Sequence, residues 1–476
     1  MIPTVFLFFA PGKRGKMQGN IIETENYITP DEIERLIEAK LYRELKANIE
    51  YIPAHDISEL FNDIPKQYHT ILFRLLPKEL AADVFVEMDT DVTEGLINSF
   101  NDRELADIIS QLYLDDTVDI IEEMPANVVK RIIKASSPED RATINELLGY
   151  PQNSAGTIMT TEYVRFVADM TVEAALSHIR RVAIDKETIY TCYVTDRQRH
   201  LIGMVTAKQL LISSLDVTLA DIMEDNLITA RTTDDREEVA HLFDKYGFLA
   251  IPVVDNENRL VGIVTVDDAI DVLKSESEED FSKMAAVTPT DVPYKKSSAF
   301  SLFLARIPWL LLLMVSATFS STILSKFEAA LPAVLILFVP MLMGTGGNSG
   351  GQSSVAVIRG ISLGEIEGRD TLGVLIKELV VGILSGAVLG VVSFGKVLLI
   401  DNLLMQNPAV TVSVAFTVSV ALAVIVIIAK LIGAILPILA KKIHIDPAVM
   451  ASPFITTVVD ALALVLYFVV AKALLP

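Results

Sequence analysis

The sequence predicts a multidomain membrane protein: an acidic α-helical solenoid, a duplicated α/β module, a charged connecting (plug-type) helix and a five-helix α transmembrane domain. Three observations carry this. The 476-residue chain has a net charge of −21, but the residues up to Ser298 carry −23 and those beyond carry +2. The apolar excess lies in the rear third, in five stretches of the roughly 20 residues that a bilayer requires. A segment of about 60 residues, far longer than a single turn or hairpin, also occurs twice in the middle of the chain.

Composition removes several functions. A single cysteine, Cys192, builds neither an intrachain disulfide nor a cysteine-rich metal site. So acidic a front region repels nucleic acid and attracts cations, although acidic surface also serves solubility alone. Pro3 to Ala10 is apolar with Lys13, Arg14 and Lys16 behind it, the reverse of a signal peptide's order. Residues 1–20 therefore read as an N-terminal extension, with Met17 an alternative start.

Residues 21–156 form the acidic helical N-domain. Pro65, Pro77, Pro125 and Pro138 each follow a small apolar cluster (LFNDIP, LFRLLP, IIEEMP, IIKASSP). Proline ends what precedes it and is tolerated in a first helical turn, so the spacing describes one short helix per repeat. Asp89 and Asn101 keep the spacing as cap residues. Then comes the duplication. IMTTEYVRF from Ile158 and IMEDNLITA from Ile222 each lead into a helix and a strand–turn–strand, with Met159 matching Met223 and Gly203 matching Gly262. This β-α-β-β-α pattern resembles a tandem pair of CBS domains, 157–214 and 215–274. Residues 275–298, highly charged, read as an exposed connecting helix.

The transmembrane domain occupies 299–476, with spans near 300–324, 328–358, 371–400, 409–440 and 446–475. Lys295, Lys296, Arg306, Arg359, Arg369, Lys377, Lys441 and Lys442 fall on the side of the N-terminal domains, against Lys326 and Lys472 opposite. Basic loops stay in the cytoplasm, so this predicts a multi-pass protein of the cell (inner or plasma) membrane with cytoplasmic N-terminal domains and an outside C-terminus. In the second span, MGTGGNSGGQSS places five glycines and six polar residues at membrane depth. Asn348, Gln352 and the glycine density favour exposed carbonyls lining a polar path over close packing by small residues. Asp460 interrupts the apolar fifth span, and an intramembrane carboxylate marks an ion or proton pathway unless paired, here with Lys377 or Lys430. Asp446, beside Pro447, reads as a helix cap with a secondary pore role.

Together, PMLMGTGGNSGGQSS and DPAVMASPFITTVVD, behind an acidic helical domain and a CBS pair, resemble the MgtE family of magnesium channels over about residues 20–476. The resemblance implies a homodimer in the lipid membrane with a Mg²⁺-selective pore on its two-fold axis, closed by the cytosolic domains when internal Mg²⁺ is plentiful. Mg²⁺ keeps its waters and is held by one or two carboxylates. One Asp460 per subunit, with Gly347 and the Asn348 amide, would suit a hydrated ion. Asp268, Asp271, Glu276, Glu279 and Asp280 crowd along the connecting region, and the family's sensor sites fall there. Asp115, Asp119 and Glu237 are further candidates. Bringing such acidic faces together costs repulsion unless Mg²⁺ neutralises them.

No catalytic triad, Walker A loop or HExxH motif is present, so no enzyme is expected. Many CBS pairs bind adenosine phosphates, and Thr265 with Asp268 has the spacing to serve ribose, which makes ATP a candidate modulator. A proton- or Na⁺-coupled carrier using Asp460, with nucleotide regulation, is the competing reading.

Overall fold

The computed structural model describes residues 28–475 except 291, 293, 329–331 and 451, so the expected N-terminal extension and Met17 lie outside the described residues. The chain divides between Val272 and Leu273 into two compact units.

In the first unit, ten helices of eight to ten residues run from Pro30–Glu38 to Pro138–Leu147. Pro65, Pro77 and Pro125 each occupy the position just before a helix, and Pro138 begins one. Each helix is too short to be stable alone and buries its apolar stripe against neighbours, typically the helix two places on. Phe73, for example, meets Phe85 and Phe100 at ring separations of 5.7 and 5.3 Å. Asn101 caps its helix in a reciprocal box with Glu104, whereas Asp89 occupies the cap position without a side-chain cap bond.

The duplicated module gives two three-stranded sheets of identical order, β1 (Arg165–Val167), β2 (Thr191–Thr195) and β3 (Leu201–Thr206), then β4 (Ala230–Arg231), β5 (Ala250–Val254) and β6 (Leu260–Thr265). The outer pair is parallel and the hairpin antiparallel in each, with an irregularity at the same place, Val194/Thr195 and Val253/Val254. The copies interlock. A Cβ at Gly203 would stand 2.6 Å from Met223 Sδ, and one at Gly262 would stand 2.7 Å from Met159 Sδ. Each copy's leading methionine therefore seats on the other copy's glycine, and the two lie as one module.

The second unit begins inside a helix, Val266–Met284, that continues from the second CBS copy. It stops well short of Ser298, correcting the expected extent of the connecting helix. Ala286 takes a positive φ of 53°, Thr288 bonds Ala305, and Pro289 lies just beyond. Prolines at 289 and 293 supply no amide hydrogen for a continuing helix. Five helices long and apolar enough to cross a membrane follow: Ala299–Lys326, Ala333–Ser362, Gly368–Leu404, Val412–Lys442 and Pro447–Leu474. The second to fifth pack tightly around a core that includes Leu342, Val418, Leu422, Ile425, Leu464 and Tyr467, while the first exposes most of its apolar surface. The third span ends in a π-helical stretch, Val397–Leu404, where Lys396 and Asp401 pair at 2.7 Å.

Candidate ion path and regulatory carboxylates

The glycine-rich part of the second span is regular α-helix from Val339 to Ser362. Its carbonyls are therefore engaged in the helical ladder, and the expectation of irregular backbone with exposed carbonyls, Gly347 included, is corrected. The glycines serve close packing. A Cβ at Gly350 would fall 2.9 Å from Ile455 Cγ2 and 3.1 Å from the Ala429 carbonyl, so this face admits the fourth and fifth spans only without side chains.

Asp460 sits on the same face. A Cβ at Gly347 would be 3.5 Å from Asp460 Oδ1 and 2.8 Å from Thr456 Cγ2. That carboxylate oxygen is buried without a hydrogen-bond partner, and the alternative, a bridge to Lys377 or Lys430, does not form at it. Lys430 is instead 6% exposed and donates to the Ser353 hydroxyl at 3.4 Å. Ser353 in turn donates to Glu378 of the third span, a carboxylate that hydropathy alone had hidden. Asn348 and Gln352 lie one turn apart on an exposed face of the second span.

In the first unit, the start of the helix Leu114–Glu123 brings Asp115, Asp116 and Asp119 against Asp268, together with Glu162, Glu187 and Asp267. Burial first, then the charges of Asp116, Asp268 and Glu162, pushes Asp115 up to about 8. Burial also raises Asp116, Asp119 and Glu187 to about 7, with Asp119, Asp268 and Asp115 respectively as the leading charged neighbours. Asp268 rises to about 6 by burial, opposed by the Thr265 hydroxyl, which donates to it at 2.6 Å. Asp271 is exposed and adds to the charge on Asp268. Glu237 lies 3.6 Å from His241 on its own helix. Among the described residues no three acidic, histidine or cysteine groups form a ready metal cage, so these carboxylates repel one another without converging on one point. Asp116, Glu162, Glu187 and Asp267 were not anticipated; Glu162 and Glu187 lie in loops, where no periodicity marks them.

The remaining candidates form a separate group in the second unit. Lys283 bridges Glu279 and Asp446, each at 2.5 Å. Asp446 also accepts the Ala448 amide at 2.8 Å, capping the turn Pro447–Met450. Asp280 accepts from Ser362 at 3.1 Å, and its carboxyl is held above the usual range by burial, with Asp446 and Glu276 contributing charge.

These arrangements define a multi-pass membrane protein that handles ions and carries a CBS-containing region. The family model for the MgtE divalent cation transporter matches residues 339–470, that for the MgtE intracellular N domain matches 52–153, and the CBS model matches 155–216 and 219–275. The chain is 37% identical over 439 residues to the magnesium transporter MgtE of Thermus thermophilus, covering 91% of this chain and 95% of that one. It is 32% identical over 433 residues to that of Bacillus subtilis, covering 90% and 94%. It belongs to the MgtE family of magnesium transporters. Among solved structures, one described as the cytosolic domain of the Mg²⁺ channel MgtE in complex with ATP is 34% identical, covers 51% of this chain and 99% of that chain, and has a TM-score of 0.49.

Proposed function

We propose that this chain is a Mg²⁺ channel that admits Mg²⁺ to the cytoplasm down its electrochemical gradient and is closed by Mg²⁺ bound among its cytosolic carboxylates. The single observation that carries the pore is the buried, unpartnered Asp460 oxygen against Gly347, inside helices of membrane-spanning length. A carboxylate there is costly unless a cation passes or a proton sits on it. In a homodimer, two Asp460 side chains would hold a hydrated ion without trapping it, and the exposed amides of Asn348 and Gln352 would bond its waters. Gly347 then serves by allowing Asp460 to approach. An inside-negative potential favours divalent entry by about 4.6 kcal/mol per 100 mV, so no coupling ion is needed.

The sensor reading rests on the group around Asp115, whose crowding a divalent cation would relieve through its hydration shell. Asp271 extends that acidic surface, Glu276 and Asp280 belong to the separate group in the second unit, and we keep 21–156, 157–214 and 215–274 as the proposed domain limits, with the connecting helix ending at Met284. Asp268, held by Thr265, is also the residue through which ATP would act on the CBS pair. The N-terminal domains lie in the cytoplasm and the C-terminus outside.

The test is Mg²⁺ uptake into liposomes by the full chain. Asp460→Ala should lower uptake by about 100-fold, the order expected when an essential charge is lost. Normal uptake by that variant, or uptake that requires a pH or Na⁺ gradient, would reject the channel. For the sensor, millimolar Mg²⁺ should protect the full chain from protease within residues 28–296; no protection removes it.

A further inference from the structure

Lys430 is a lysine on a membrane-spanning helix, flanked by Ala429, Gly433 and Ala434, and nearly sealed from solvent. A charge so placed is expensive and demands a partner. Its hydrogen bond among the described residues goes to Ser353 Oγ at 3.4 Å, and the same hydroxyl donates to the Glu378 carboxylate. One serine on the second span thus accepts from a cation on the fourth and donates to an anion on the third. Ser353 lies six residues beyond Gly347, about 9 Å along the helix, from the point where Asp460 rests. So close along one helix inside the membrane, an uncompensated ammonium group acts on any cation beside Asp460.

We propose that Glu378 is the countercharge of Lys430, joined to it through Ser353, and that this neutralisation sets the affinity of the Asp460 site for an entering divalent cation. The inference rests on the reading of Asp460 as part of the ion path. Without Glu378, Lys430 opposes the cation. Without Lys430, Glu378 adds to its attraction. The two charges are therefore unequal in their effect on entry, although a purely structural clamp would need both equally.

The experiment measures the external Mg²⁺ concentration giving half-maximal uptake by the full-length protein in liposomes, with size-exclusion profiles of each variant. Glu378→Gln should raise it about tenfold, equivalent to about 1.4 kcal/mol. Lys430→Gln should leave it unchanged or lower it, and Glu378→Gln with Lys430→Gln should return it to within about twofold of the parent. Equal losses in the two single variants, or a double variant no better than Glu378→Gln, would overturn the proposal in favour of a clamp. Should Glu378→Gln fail to reach the membrane, Lys430→Gln and the double variant still decide, since a raised value in either contradicts neutralisation. Asp460→Ala in the same assay separates the two ideas. Normal uptake there rejects the path itself, while lost uptake with an unaltered Glu378→Gln rejects only the countercharge.

Discussion

Asp115 and Asp446 are both carboxylates held among other carboxylates, but only Asp446 has a lysine of its own. Around Asp115, burial and the charges of Asp116, Asp268 and Glu162 push protons onto the group, and the nearby Arg236 offsets the shift of Asp119 only in part. Around Asp446, Lys283 reaches Glu279 and Asp446 at once. The first arrangement is unstable without an added cation or protons, and the second is complete by itself. Acidic residues that look alike along the chain thus divide into a group open to ligand control and a group that fastens the connecting helix to the start of the fifth span. In the proposed channel, direct Mg²⁺ sensing belongs with the first.

The comparison breaks most directly at Lys283. Replacing it by Met keeps the side-chain volume but leaves Glu279, Asp280 and Asp446 without their cation. Losing the cation of this partly exposed cluster should cost about 1 kcal/mol, read as a fall in the thermal midpoint of the full-length protein in detergent. Millimolar Mg²⁺ should restore part of that loss, because the second group would then resemble the first. An unchanged midpoint would mean that Lys283 does not hold the helix.

An effect of opposite sign is expected at Asp115. Asp115→Asn removes the cost of protonating or burying that carboxyl while preserving its shape, and should stabilise the Mg²⁺-free first unit by about 1 kcal/mol. Protease digestion of the full chain in EDTA should slow within residues 28–272, and added Mg²⁺ should then protect less. Faster digestion in EDTA would show that the carboxylate is a structural acceptor instead of a source of repulsion.

Much of this architecture was legible in advance because local rules dominate it. Proline positions punctuate the solenoid, strand–turn–strand patterns recur with their methionines and glycines, and apolar length announces the five spans. Long-range pairing was not legible. Lys283 meets Asp446 across 163 residues, and Lys430 meets Ser353 across 77. Nothing in composition tells which helix face an intramembrane charge occupies. The glycine-rich span shows the same limit from the other side. Its glycines suggested loose backbone, but Ile425, Ile455 and Val459, distant in sequence, fill the space that their missing side chains leave.

The gentlest probe of the contrast is pH. The native pKa values of Asp115, Asp116, Asp119, Glu187 and Asp268, about 6 to about 8, lie above the value near 4 of an unfolded chain. Between those limits the folded first unit binds more protons than the unfolded one. Its stability in EDTA is therefore full below about pH 4 and declines as pH rises through 6 to 8. Mg²⁺ competes with those same protons, so the concentration giving half-maximal protease protection should fall about threefold for each pH unit between 6.5 and 7.5, the dependence expected when each bound ion displaces roughly half a proton. Lys283 sits instead between two carboxylates that it already pairs, Glu279 and Asp446. A protection curve that does not move with pH would mean that Mg²⁺ acts elsewhere than on the carboxylates around Asp115.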